Sequence, residues 1–176
     1  MKPIPMRAQL SLVAAGYAVV LATATLLVYA RHLQYVNHPD DVAASGGMYA
    51  CGDSMLGIFI GCTLLVPTFV LVLVIRKSEQ LYNRYSRILL GLSLTAPICL
   101  AVLSIPAVNQ GTMVLGEICT DRLLGSPIVI VGLVISRLLA RFDRAKRLTL
   151  YALLIEVLTL ALTAALLIFL LKAHQG

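Results

Sequence analysis

Charge is scarce in this sequence: Lys, Arg, Asp and Glu make up 12% of the 176 residues, against 60% apolar. That balance excludes a disordered tail, which needs high polarity and little apolar content. Cysteine is scarce too, with Cys51, Cys62, Cys99 and Cys119 standing alone and in no CxxC spacing. A disulfide-rich mini-domain, a zinc knuckle and a thioredoxin-type redox pair are thereby excluded. HExxH and GxSxG are both absent, and His32, His38 and His174 lie outside the apolar runs. Catalysis therefore has little support, and no cofactor is implied, since a haem or quinone enzyme would need axial ligands that these runs lack.

What the chain does have is hydrophobicity, with a mean hydropathy of +0.93. This is the profile of an integral membrane protein, whose spans leave no length for a large catalytic domain. The formal charge of +6 comes from short basic stretches between apolar segments. Such stretches read as a topology signal rather than as a nucleic-acid surface.

Uncharged runs cover Ala8 to Ala30, Met55 to Ile75 and Ile88 to Val108, and each is long enough to cross about 30 Å of hydrocarbon as a helix. Leu148 to Leu171 is interrupted only by Glu156, whose cost the surrounding Leu, Ile, Val and Phe residues outweigh. A shorter run from Leu123 ends at Arg137, and topology decides its role. If residues 123–140 cross, eleven Lys and Arg residues share one face and three the other; if not, the split is six against eight. The sequence thus predicts a single all-α, multi-pass helical bundle of five spans, near 8–30, 55–75, 88–108, 123–140 and 148–171. Its amino terminus is expected in the cytoplasm and its carboxyl terminus outside a plasma or inner cell membrane. Ser126 is expected to cap the fourth span with Pro127 at its first position, and Asp53 or Ser54 to cap the second.

Residues 31–53 and 109–125 are then the outer loops, forming a small external cap. His38-Pro39-Asp40-Asp41 through Gly46-Gly47 reads as a short helix. A metal site at His32, His38, Asp40 and Asp41 is the alternative, but no second cluster completes a coordination shell, so none is assigned. Cys51 and Cys119 are the only outer-loop cysteines, and an oxidising compartment would favour a disulfide between them, closing a long loop for about 4 kcal/mol. Cys62 and Cys99 read as packing residues.

Glu156 is the one acid inside an expected span, and such groups face a bundle interior, pair, or lie on an ion path. The fourth and fifth spans form a hairpin, and side chains lean toward the amino end of their own helix, which tilts Arg137 and Glu156 toward each other. An Arg137–Glu156 ion pair follows, or a protonated Glu156 bonded to Thr149, Thr159 or Thr163. Arg137, Arg141 and Arg144 recur at helical spacing and, with Lys146 and Arg147, form an expected contact for anionic lipid headgroups on the cytoplasmic face. Gly57 and Gly61, and the Ala14, Ala18, Ala22 stripe, allow close helix approach. Pro67 and Pro97 lie inside spans.

The leading functional expectation is an accessory, assembly or scaffold protein of a membrane complex, with a membrane-protein partner or a second copy and no nucleic acid. A small transporter or channel subunit using Glu156 is the alternative. An outer-face thiol-redox or lipid-modifying enzyme using Cys51 and Cys119 is a third reading.

Overall fold

The computed structural model describes residues 5–105 and 113–175, and these are all-α. The elements are α1 (Met6–Asn37), α2 (Pro39–Ala44), α3 (Gly46–Ile75), α4 (Glu79–Leu103), α5 (Met113–Leu124), α6 (Ser126–Leu139) and α7 (Asp143–Gln175). Helices α1, α3, α4 and α7 are each long and apolar enough to cross a membrane. The bent pair α5 and α6 makes a fifth span if it is counted as one.

Burial departs from that of a water-soluble domain, with many large apolar side chains outside and several polar ones inside. Leu138, Ile88 and Phe169 are 79%, 71% and 71% exposed, whereas Ser86, Ser93, Ser126, Ser136, Thr149 and Glu156 are fully buried. In lipid, apolar side chains gain nothing by turning inward, so helices meet through small and polar residues instead. The chain is a multi-pass membrane protein.

Two compact units divide it, Met1–Val74 and Ile75–Gly176, where the sequence suggests one domain. In the first unit, α1 and α3 run antiparallel, joined by α2. Tyr17 on α1 donates a hydrogen bond to Thr68 on α3 at 2.7 Å, since the Thr68 hydroxyl is itself donated to the Leu64 carbonyl. A Cβ on neighbouring Gly16 would meet Pro67 at 3.5 Å, so this level is in ordinary contact. Further along, Arg31 reaches Asp53, and Tyr35 stacks edge-on against Tyr49 at 5.3 Å. Going up α1 from Tyr17 to Arg31 takes the chain about 21 Å along the axis, and α3 descends from Thr68 to Asp53 in step.

The short helix α2 begins as the sequence suggests, with Pro39 at its first position and Asp40 and Asp41 in the first turn. His38 cannot stay helical before proline and adopts φ −132°. Its end differs from expectation: Ser45 closes the helix, and Gly46 opens α3 instead of terminating α2. Because α3 starts so early, Asp53 and Ser54 lie inside it and cap nothing; the Ser54 hydroxyl donates to the Ala50 carbonyl at 3.1 Å.

In the second unit, α4 packs on α5 and α7, and α6 packs on α5 and α7. The buried stripes are periodic at three and four residues: Tyr82, Ser86, Ser93 and Ala96 on α4, and Ala145, Thr149, Ala152, Glu156 and Thr159 on α7. Tyr82 donates to the Ser136 carbonyl, one of the four that the end of α6 leaves without an intrahelical partner. The Ser136 hydroxyl donates to Gly132 and accepts from Tyr85 at 3.0 Å.

The fourth span is where sequence and structure differ most. The sequence predicts a loop over residues 109–125, but α5 occupies Met113–Leu124; residues 109–112, and 106–108 at the end of the third expected span, lie outside the described residues. Helix α5 meets α6 at Gly125 with a 46° bend. Pro127 supplies the cause, having no N–H to donate and a ring that crowds the carbonyl of Leu123. Gly125, not Ser126, precedes α6, and Ser126 and Pro127 take its first two positions. Helix α6 ends at Leu139, and Arg141 falls in the connection to α7, so Arg137, Arg141 and Arg144 do not share one helix.

Candidate functional site

The most unusual chemistry in the second unit is Glu156, a fully buried carboxylate on α7. Its partner is Arg122 on α5, whose Nη2 donates to Glu156 Oε1. Only 15% of the Arg122 side chain is exposed. The same guanidinium donates from Nε to the Thr95 hydroxyl at 2.9 Å and from Nη2 to the Leu92 carbonyl at 3.1 Å, both on α4. Its Nη1 reaches the Ser126 hydroxyl on α6 at 3.4 Å. One side chain therefore ties α4, α6 and α7 to α5. Guanidinium suits this role because its planar fork of five donors can serve several acceptors at fixed angles.

The expected Arg137–Glu156 pair is not formed. Arg137 makes no ion pair among the described residues, and its Nη1 is buried without a hydrogen bond. The threonines do not serve Glu156 either. Thr149 donates to the Ala145 carbonyl at 2.9 Å, Thr159 to Ile155 at 2.8 Å and Thr163 to Thr159 at 2.8 Å, each within α7. Side-chain lean favours Arg137 only where no other cation competes, and Arg122, in a segment expected to be a loop, stands on a helix within reach of Glu156.

Glu156 Oε2 and Ser93 Oγ are both buried without a hydrogen-bond partner. Beyond the pair lies a cavity of about 640 Å³ lined chiefly by leucines. Leu123, next to Arg122, and Leu160, one turn past Glu156, belong to its wall, and Ser104, Thr120 and Thr163 are its polar members.

The cysteines are all free thiols, so the expected Cys51–Cys119 bridge is not formed. Cys51 is exposed on α3, and Cys119 is buried on α5, where its thiol meets that of Cys99 on α4. Arg141, Arg144, Lys146 and Arg147 are all exposed around the start of α7. Among the described residues, no group of three His, Cys, Asp or Glu side chains could hold a metal ion. His38 instead faces Asp41 at 3.8 Å across an exposed turn.

A second polar cluster, not anticipated from the sequence, stands in the first unit. Arg31 donates from Nε to Asp53 Oδ1 at 2.6 Å, from Nη1 to Gln34 at 2.9 Å and from Nη2 to the Tyr49 carbonyl at 2.9 Å. Tyr35 donates to the other oxygen of Asp53. The guanidinium carbon lies 4.7 Å from the Tyr49 ring centre and 5.3 Å from that of Tyr35. Gly52 makes room for it, since a Cβ there would stand 2.9 Å from Arg31 Nη2.

No protein-family model, curated protein or solved structure matches this chain.

Proposed function

We propose that this chain is a small accessory, assembly or scaffold protein of a membrane complex, acting by binding another membrane protein rather than by catalysis. The observation that carries the reading is the contrast between a satisfied guanidinium at the centre of the second unit and a bare helix in the first. Along the 32-residue helix α1 only Val13 is buried, and Ala14, Ala18 and Ala22 present an exposed small-residue stripe. Helices in lipid associate through such stripes, because small side chains let backbones approach. The partner is a transmembrane helix packed along that stripe.

The test is retention of a partner. Photo-crosslinking from Ala18 in native membranes should give one defined adduct, and Ala18→Leu should abolish it while the unfolding transition stays in place. Isolation alone, monodisperse and with lipid adducts only, would refute the reading.

For orientation we retain the cytoplasmic amino terminus and external carboxyl terminus in a plasma or inner membrane. Placing Arg122 on a spanning segment leaves eleven basic residues on one face against two. Arg141, Arg144, Lys146 and Arg147 then meet anionic headgroups on the cytoplasmic side, each charge contributing about 1 kcal/mol near the surface.

A second reading, a transporter or channel subunit built on Glu156, draws on its unpartnered Oε2. Glu156→Gln should leave flux of protons or small cations into protein-loaded vesicles unchanged if the pair is a lock, and abolish it if the group carries ions. The thiol-enzyme reading gains no support from a Cys119 buried against Cys99.

A further inference from the structure

Beneath the Arg31–Asp53 cluster of the first unit lies a second cavity, of about 340 Å³, within the range of small-ligand pockets. Its wall changes character with depth. Arg31, His32, Tyr35 and Asp53 line one part, and Val28, Leu56, Gly57 and Ile60 line the other. Arg31 is the first charge after the apolar run of α1, and Asp53 is the last before the uncharged run of α3. The pocket therefore straddles the level at which hydrocarbon gives way to headgroups.

From this placement we infer that the pocket is a binding site for an aminophospholipid of the phosphatidylethanolamine type, independently of the accessory reading above. Three observations select the headgroup. The lining carries one guanidinium and one carboxylate, so a zwitterion is favoured over a net anion or a net cation. Asp53 keeps acceptor capacity, because Arg31 and Tyr35 each take only one lone pair of a different oxygen and 42% of its side chain is exposed. Arg31 has further N–H groups, and exposed His32 stands beside it, so phosphate donors lie next to an ammonium acceptor.

The same geometry discriminates against choline. A quaternary ammonium has no N–H for Asp53, and the one phenol ring in the lining, that of Tyr35, already has the Arg31 guanidinium 5.3 Å from its centre. The acyl chain follows Val28, Leu56 and Ile60. Gly57 leaves its path clear, for a Cβ built there meets nothing within 4 Å.

Native mass spectrometry of the purified full chain in detergent tests this, with phosphatidylethanolamine, phosphatidylcholine or phosphatidylglycerol of identical acyl chains added singly. One phosphatidylethanolamine should bind per chain about tenfold more tightly than phosphatidylcholine, the equivalent of one charge-assisted hydrogen bond. Gly57→Leu adds bulk to the pocket wall at a position where a Cβ meets nothing within 4 Å. It should remove that lipid while leaving helicity and the lipid-free unfolding temperature unchanged, and His32→Ala should weaken binding severalfold. Asp53→Asn should erase the preference over choline; if it fails to fold, Gly57→Leu and His32→Ala decide alone. Equal binding of the two zwitterionic lipids would overturn the assignment. So would phosphatidylethanolamine binding that survives Gly57→Leu, or binding of phosphatidylglycerol alone.

Discussion

The two units solve the same problem differently. The second has four helical elements wrapped on buried serines, threonines and an ion pair, while the first joins α1 and α3 at a few polar levels and leaves most of α1 exposed. In water the first would be a failed core. In lipid the exposed apolar faces of such a hairpin meet a matching solvent, because helix association there depends on packing and polar contacts rather than on hiding apolar area. The closed unit carries its polar contacts inside, whereas the open unit leaves most of α1 exposed.

The sharpest way to break the contrast is to open the closed unit. Arg122→Ala leaves a buried carboxylate without its cation and should lower stability by about 3–5 kcal/mol, measured by thermal or chemical unfolding in detergent. Arg137→Ala should change it by less than about 1 kcal/mol, in the range of an unpaired partly exposed residue. An effect smaller than that of Arg122→Ala, though larger than that of Arg137→Ala, is expected at the α4–α6 contact. Tyr82→Phe strands the Ser136 carbonyl and should cost about 1–2 kcal/mol in the same assay. Smallest in global stability is Gly52→Ala, which displaces the Arg31 guanidinium. It should speed amide exchange near the α1–α3 end and leave protection on α4 and α7 unchanged. Loss of protection in both units would erase the distinction between them.

Much of this architecture is legible in the sequence, because long uncharged runs have one economical conformation in hydrocarbon. The runs in α1, α3, α4 and α7 declare themselves on that ground. The helices overrun those runs, as α1 continues to Asn37 and α3 starts at Gly46, because nothing before Pro39 or after Ser45 stops a helix. Helix α5 is missed for the opposite reason. Glu117, Asp121 and Arg122 break its hydropathy, and a residue-by-residue tally charges Arg122 the full penalty of an isolated ion although Glu156 neutralises it.

A finer signal was present. Cys119, Leu123 and Ser126 recur at helical spacing and form the buried face of the α5–α6 segment, with Arg122 flanking it. Glu156 is recognisable as the odd residue because it stands alone in an apolar run. Its partner is not, since partner choice depends on which helix lies at its depth, and that is a property of packing. The Arg31–Asp53 cluster is hidden likewise, because Asp53 in a sequence looks like a cap and becomes an ion-pair acceptor only once α3 begins seven residues earlier.

A double-mutant cycle between Arg122 and Glu156, run beside one between Arg137 and Glu156, addresses the polar centre most directly. The account predicts a coupling energy above about 2 kcal/mol for Arg122 with Glu156 and one near zero for Arg137 with Glu156. Strong coupling of Glu156 to Arg137, with none to Arg122, would contradict it.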